Sequence, residues 1–151
     1  MEGDARPLVL HVMYRLDTGG LENGVVNLIN HMPAHAYRHA VLALTEVTEF
    51  RQRVQRHDVE FISLHKPHGH GVCQSAELFK LFHRLRPAIL PSRNDLALLL
   101  QVLACAAGGP VRIQGEHGRD DAYLDGGTRT FHAASRVYRP FYHDLVALHR
   151  D

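Results

Sequence analysis

The run Leu8-Val9-Leu10-His11-Val12-Met13-Tyr14, followed by Arg15-Leu16-Asp17-Thr18-Gly19-Gly20-Leu21-Glu22 and then by Val25, Leu28, Ile29 and Met32, decides the fold. Its opening apolar run is short enough for a buried strand. Leu21, Val25, Leu28, Ile29 and Met32 then recur at i, i+4, i+7, i+8 and i+11, the stripe of one helix face, and Pro33 ends it. A strand therefore hands over to a helix within one glycine turn, the first move of a crossover unit.

The same alternation continues outward from that unit. Residues 40–44 read as a second strand, 50–56 as a short polar helix and 59–64 as a third strand, after which Lys66-Pro67-His68-Gly69 breaks regular structure. Leu78, Leu81, Phe82 and Leu85 mark a helix stopped at Arg86-Pro87, and residues 88–90 make a short fourth strand. A helix over 95–107, closed by Gly108-Gly109-Pro110, leads to a fifth strand over 111–114. Residues 130–142 read as helical, bent or ended at Pro140, and 145–148 as a sixth strand. Short aliphatic runs taking turns with amphipathic helices imply right-handed parallel crossovers with helices on both sheet faces. The expected class is α/β, a Rossmann-like doubly wound parallel sheet.

Composition narrows the function classes. A chain of 151 residues with 45% hydrophobic content fills one core, so residues 1–151 are expected to form a single domain. Lys and Arg number 17 against 16 Asp and Glu, a net charge of +1, which is no polybasic footprint for nucleic acid. Cys73 and Cys105 both fall in segments read as helical and suggest packing residues in a reducing compartment. The first apolar run, Leu8 to Met13, follows two acids and is too short for a signal-peptide core, so the expected location is cytoplasmic. Residues 96–107, the longest apolar stretch, fall short of the ~20 residues that span a bilayer and read as a buried helix.

In doubly wound sheets ligands bind outside the carboxyl ends of the strands, near the point where strand order reverses. That rule selects residues 17–22, 65–71, 92–94 and 115–120. In the first, Gly19 and Gly20 allow positive φ and close approach of a ligand to the backbone, and the following helix presents its amides and positive dipole end to an anion. The alternative is a plain turn with Asp17 or Thr18 capping the helix. The glycine spacing matches neither the dinucleotide fingerprint nor a P-loop. An oxidoreductase would also need a ribose-binding acid ~20 residues on, where Glu46 stands.

His117, in Gly115-Glu116-His117-Gly118-Arg119-Asp120, suits contact with a sugar hydroxyl or a developing charge; a loop histidine without a task is the plainer reading. His65, His68 and His70 match no closed zinc spacing, and with Lys66 they read as a polar loop over a cleft edge, so no metal is expected. In Ser92-Arg93-Asn94 a guanidinium could pair with a phosphate or carboxylate and an amide could hold a hydroxyl; the alternative is capping by Ser92 or Asn94.

The segment His11 to Gly24, together with Tyr37-Arg38-His39-Ala40-Val41, Lys66-Pro67, Gly69-His70-Gly71 and Gly115-Glu116-His117-Gly118, resembles the amino-terminal domain of family-four glycosyltransferases. The likeness is in particular to sugar transferases associated with exopolysaccharide and PEP-CTERM systems. It implies a GT-B architecture, two Rossmann-like domains across a cleft, and retaining, metal-independent transfer without a cofactor. The partners implied are a nucleotide sugar and a glycan or lipid-linked acceptor; the latter would bring the full-length enzyme to the inner membrane face. By position, the resemblance sets Gly19 and Gly20 at the donor diphosphate and His117 at the reacting end of the donor sugar. Arg93, Asn94, Lys66 and His70 would line the acceptor side.

Three departures accompany the likeness. The family grips its donor with two glutamates eight positions apart in the second domain, and no glutamates here have that spacing. The chain is thus expected to be the acceptor-side half, a fragment without its nucleotide-sugar-binding domain and inactive alone. Pro91 stands where a polar residue is expected, and His149 where relatives tend to carry serine. A non-catalytic anion-binding or interaction module is the alternative function.

Overall fold

The computed structural model describes residues 4–65, 74–93, 110–116 and 144–147. In chain order the elements are β1 (Leu8–Met13), α1 (Gly20–His31), β2 (Arg38–Ala43), a 3-10 turn (Glu49–Arg53) and β3 (Glu60–Ser63), followed by α2 (Gln74–Leu85), β4 (Ile89–Arg93), β5 (Val111–Glu116) and β6 (Asp144–Ala147). The helices expected over 95–107 and 130–142, and Cys73 and Cys105, lie outside the described residues.

The strands form one sheet in the order β3-β2-β1-β4-β5-β6, and every neighbouring pair is parallel. This is the expected Rossmann-like doubly wound sheet. The chain runs one way from β1 to β3, then returns past β1 to place β4 on its other side. Because crossovers keep one hand, that reversal should move the next helix to the opposite face. The core divides accordingly. Leu10, Val12 and Leu42 pack with Leu78, Leu81 and Phe82 of α2 on one face. Met13 and Val41 pack with Val25, Val26 and Ile29 of α1 on the other. Leu10 and Leu42 on the first face and Met13 and Val41 on the second are fully buried, so the centre of the sheet is covered on both sides.

Element edges moved where the local signal was ambiguous. The polar helix expected over 50–56 is a 3-10 turn that stops at Arg53, with the Val54 amide donating to the Arg51 carbonyl at 3.0 Å. Thr48 caps it, its hydroxyl accepting from the Phe50 amide at 3.2 Å. The fourth strand does not end at Leu90: it runs through Pro91 to Arg93, paired residue for residue with β5. On the other side, bridges to β1 occur at Val9↔Ile89 and Val12↔Ser92, flanking Pro91, which has no N–H to offer. The fifth strand likewise extends past Gln114 to Glu116. Among the described residues no helix is long and apolar enough to cross a membrane.

Candidate functional site

The order reversal falls between β1 and β4, so the crevice rule points to the carboxyl ends of these two strands. β1 leads there into the glycine turn, which is held down from below. The Tyr14 carbonyl accepts from the Thr45 amide and from the Thr45 hydroxyl, both at 2.9 Å. Leu16 is fully buried among the α1-side apolar residues. Its amide donates to the Glu46 carbonyl at 3.0 Å, and its carbonyl accepts from the Thr48 amide at 3.0 Å and the Thr48 hydroxyl at 2.8 Å. The turn is therefore pinned to the segment after β2 before it reaches the glycines. Arg15 lies over that junction, 3.4 Å from Asp17 and 3.2 Å from Glu46. All three side chains are about half exposed, so these pairs order the rim more than they stabilise the fold.

Gly19 is the N-cap of α1, and no side chain caps the helix. Asp17 accepts from the Thr18 amide at 2.8 Å, so the alternative in which Asp17 or Thr18 caps α1 is overturned. The first helical bond runs from the Asn23 amide to the Gly19 carbonyl at 3.0 Å. By helix geometry the amides of Gly20, Leu21 and Glu22 precede it and have no helical acceptor. They open at the head of the helix dipole.

The positive φ expected of the glycines is not used there. Gly19 has φ −171 and ψ 167, an extended conformation open to any residue. A β-carbon on Gly19 would meet the carboxylate of Glu22, the free end of a flexible side chain that can turn aside. Gly20 has no atom within 4 Å of its would-be β-carbon, so its open side faces away from the fold.

The other expected site residues separate into two groups. Ser92 and Arg93 are not in a loop but form the last two positions of β4, opposite Gln114 and Gly115 of β5. Arg93 follows the Val12↔Ser92 bridge, which puts its backbone beside the end of β1 at the same crevice as Gly19 and Gly20. Gly115 and Glu116, expected in a loop, are strand residues as well. Asn94, Lys66, His68, His70 and His117 lie outside the described residues. His65, the last described residue after β3, is exposed and left-handed at φ 50, its amide donating to the Thr45 carbonyl at 3.0 Å. Among the described residues no group of three His, Cys, Asp or Glu could hold a metal ion.

The sequence reading missed the anchor under the turn. Thr48 was the one local signal, a threonine two residues before a buried aromatic at the start of a turn. Leu16 carried none, because a single leucine in a polar loop does not reveal what it plugs into.

The model of the family described as Glycosyltransferase Family 4 matches residues 18–149, from inside the glycine turn to beyond the last strand. No curated protein matches the chain.

Proposed function

This chain belongs to glycosyltransferase family 4, as an amino-terminal GT-B domain, and on that premise we propose that it serves retaining sugar transfer from a nucleotide sugar to an exopolysaccharide or lipid-linked acceptor. The acceptor lies on this domain, and a second Rossmann-like domain supplies the grip on the nucleotide. The observation that carries the reading is the uncapped head of α1, with Gly19 and Gly20, at the order reversal of the sheet.

The chemistry follows from charge. When the glycosidic bond to a nucleoside diphosphate breaks, negative charge builds on the leaving diphosphate. Amides already aimed at that charge stabilise the transition state without reorganising. The Gly20, Leu21 and Glu22 amides are fixed in this way, because Leu16 and Thr48 hold the approach to the turn. In this reading the helix head supplies the positive field, with no metal required. His117 would meet the donor sugar at the reacting end, and Arg93, Asn94, Lys66 and His70 would hold acceptor hydroxyls or an acceptor phosphate. Kinship with exopolysaccharide and PEP-CTERM-associated transferases, and attachment at the inner membrane face through a lipid-linked acceptor, belong to the same proposal.

The test is a titration of the 15N-labelled chain with UDP and with pyrophosphate. The largest amide shifts are expected at Gly19, Gly20 and Leu21. Gly20→Ala, which the free fold accommodates, is expected to weaken binding by setting a methyl group between ligand and amide. Shifts confined to other parts of the chain would overturn the reading.

A further inference from the structure

Two histidines lie inside the sheet layers with no part in the proposed chemistry. Side chains alternate along a strand, so His11 on β1 and His39 on β2 share the face of Met13 and Val41, the one covered by α1. They sit diagonally, since His39 pairs with Val9 and His11 with Val41. Their exposures are 0% and 1%. His11 Nε2 is 3.1 Å from His39 Nδ1, and the rings stack at 5.3 Å between centroids with 17° between planes.

Two imidazole nitrogens facing at that distance are satisfied by one proton, one ring donating and the other accepting. A second proton would set N–H against N–H and leave a cation in a dry layer. Around His39 the surroundings offer it little relief. Burial first, then the Arg56 guanidinium, holds the His39 imidazole down to about 4; Asp58 pulls the other way and Arg6 adds to the lowering. Asp58 is already engaged, by Arg56 at 2.9 and 2.7 Å and by Arg6 at 3.1 Å. Over this face α1 lays Val25, Val26 and Ile29, with its ionisable Glu22 in the first turn and His31 in the last. The 3-10 turn buries Phe50, while its Glu49, Arg51 and Arg53 are exposed. From the β3 side come Val59 and Phe61, with Glu60 exposed.

We propose that His11 and His39 form a one-proton couple that makes the seating of α1, and with it the Gly19–Gly20 turn at its head, sensitive to acid. The link to function rests on the reading of that turn as a diphosphate site. The sign follows from linkage. A depressed imidazole favours the folded state above its ordinary value of 6.5, and that advantage is lost as the pH falls toward about 4. For His39 alone, the folded-to-unfolded ratio is expected to drop about 20-fold between pH 7 and pH 5. States in which α1 has lifted and the rings meet water gain by the same factor.

The experiment begins with the wild-type chain. Imidazole 15N spectra from pH 7.5 to pH 5 are expected to show the His39 ring neutral, with one of the two facing nitrogens protonated. Amide exchange, corrected for its intrinsic pH dependence, is expected to accelerate in α1 more than in α2 as the pH falls. Titration of the His39 ring near pH 6.5 with the fold intact, or equal acceleration in both helices, would overturn the couple. The double variant His11→Leu/His39→Leu replaces the polar pair by apolar side chains. Its urea midpoint is expected to lose most of the wild-type change between pH 7 and pH 5, and an undiminished change would sink the proposal. Pyrophosphate titrated at both pH values separates the two readings. No response at Gly19 and Gly20 at pH 7.5 removes the diphosphate site and the functional link, while the acid response of α1 stands. A response at pH 7.5 that persists unchanged at pH 5 overturns the link between the couple and the turn.

Discussion

The carboxylate of Glu22 lies against Gly19, over the place where a β-carbon would project. Gly19 is the N-cap and Glu22 the third residue of α1, so an acid of the first turn bends back over the head of its own helix. In the free protein the positive end of the helix is partly answered from within. A diphosphate arriving at the same amides meets that carboxylate first. Glu22→Gln is therefore expected to tighten pyrophosphate binding by about 2- to 5-fold, the equivalent of ~0.3–1 kcal/mol, while costing the fold a similar amount. Calorimetric titration and urea midpoints measure the two effects, and weaker binding by the glutamine variant would show that Glu22 assists the anion instead.

Thr48 ties two structures together. Its hydroxyl caps the 3-10 turn by accepting from Phe50 and anchors the approach to the glycines by donating to the Leu16 carbonyl. Thr48→Val keeps the shape and removes both bonds. A loss of about 1–2 kcal/mol is expected, with faster amide exchange at Leu16 and Phe50 and little change in α2. Uniform exchange across the domain would mean that Thr48 acts on global stability alone.

Arg56 is a nearly buried cation, its side chain 10% exposed. It grips Asp58 with two nitrogens and donates to the Tyr37 carbonyl at 2.9 Å. A lysine cannot reproduce that planar fork, so Arg56→Lys is expected to cost about 1–2 kcal/mol. The Arg56 guanidinium, with Arg6, also holds the Asp58 carboxyl well below its ordinary value of 3.8. A depressed carboxylate stabilises the fold above that value and stops doing so as acid protonates it. The lysine variant is thus also expected to unfold at higher pH on the acid side, followed by circular dichroism.

Arg86 ends α2 in the left-handed region, at φ 45, with its amide donating to the Phe82 carbonyl at 2.9 Å. A side chain there costs roughly 1 kcal/mol that glycine does not incur. Arg86→Gly is expected to raise the urea midpoint by up to ~1 kcal/mol equivalent, less what the more flexible unfolded chain takes back. A lower midpoint would show that the arginine side chain contributes more than its backbone strain removes.

By itself the sequence determined the alternation of strands and helices, the place of α1, and the glycine turn as the head of that helix. Those features rest on periods of two and 3.6 residues and on local breakers such as Pro33 and Pro87, all visible within a short window. The turn was legible as a candidate site because its chemistry is backbone chemistry at neighbouring positions. Tertiary structure alone decided the rest. That Ser92 and Arg93 are strand and not loop depends on β5 pairing with them across the sheet, which outweighs the breaking tendency of Pro91. That the Glu22 carboxylate lies over Gly19 depends on how the first turn of α1 folds, not on φ. The anchor between Thr48 and Leu16 joins residues 32 positions apart, and the buried contact between His11 and His39 joins residues 28 apart. Such pairs leave no periodic trace, because what selects them is proximity after the chain has crossed the sheet and returned.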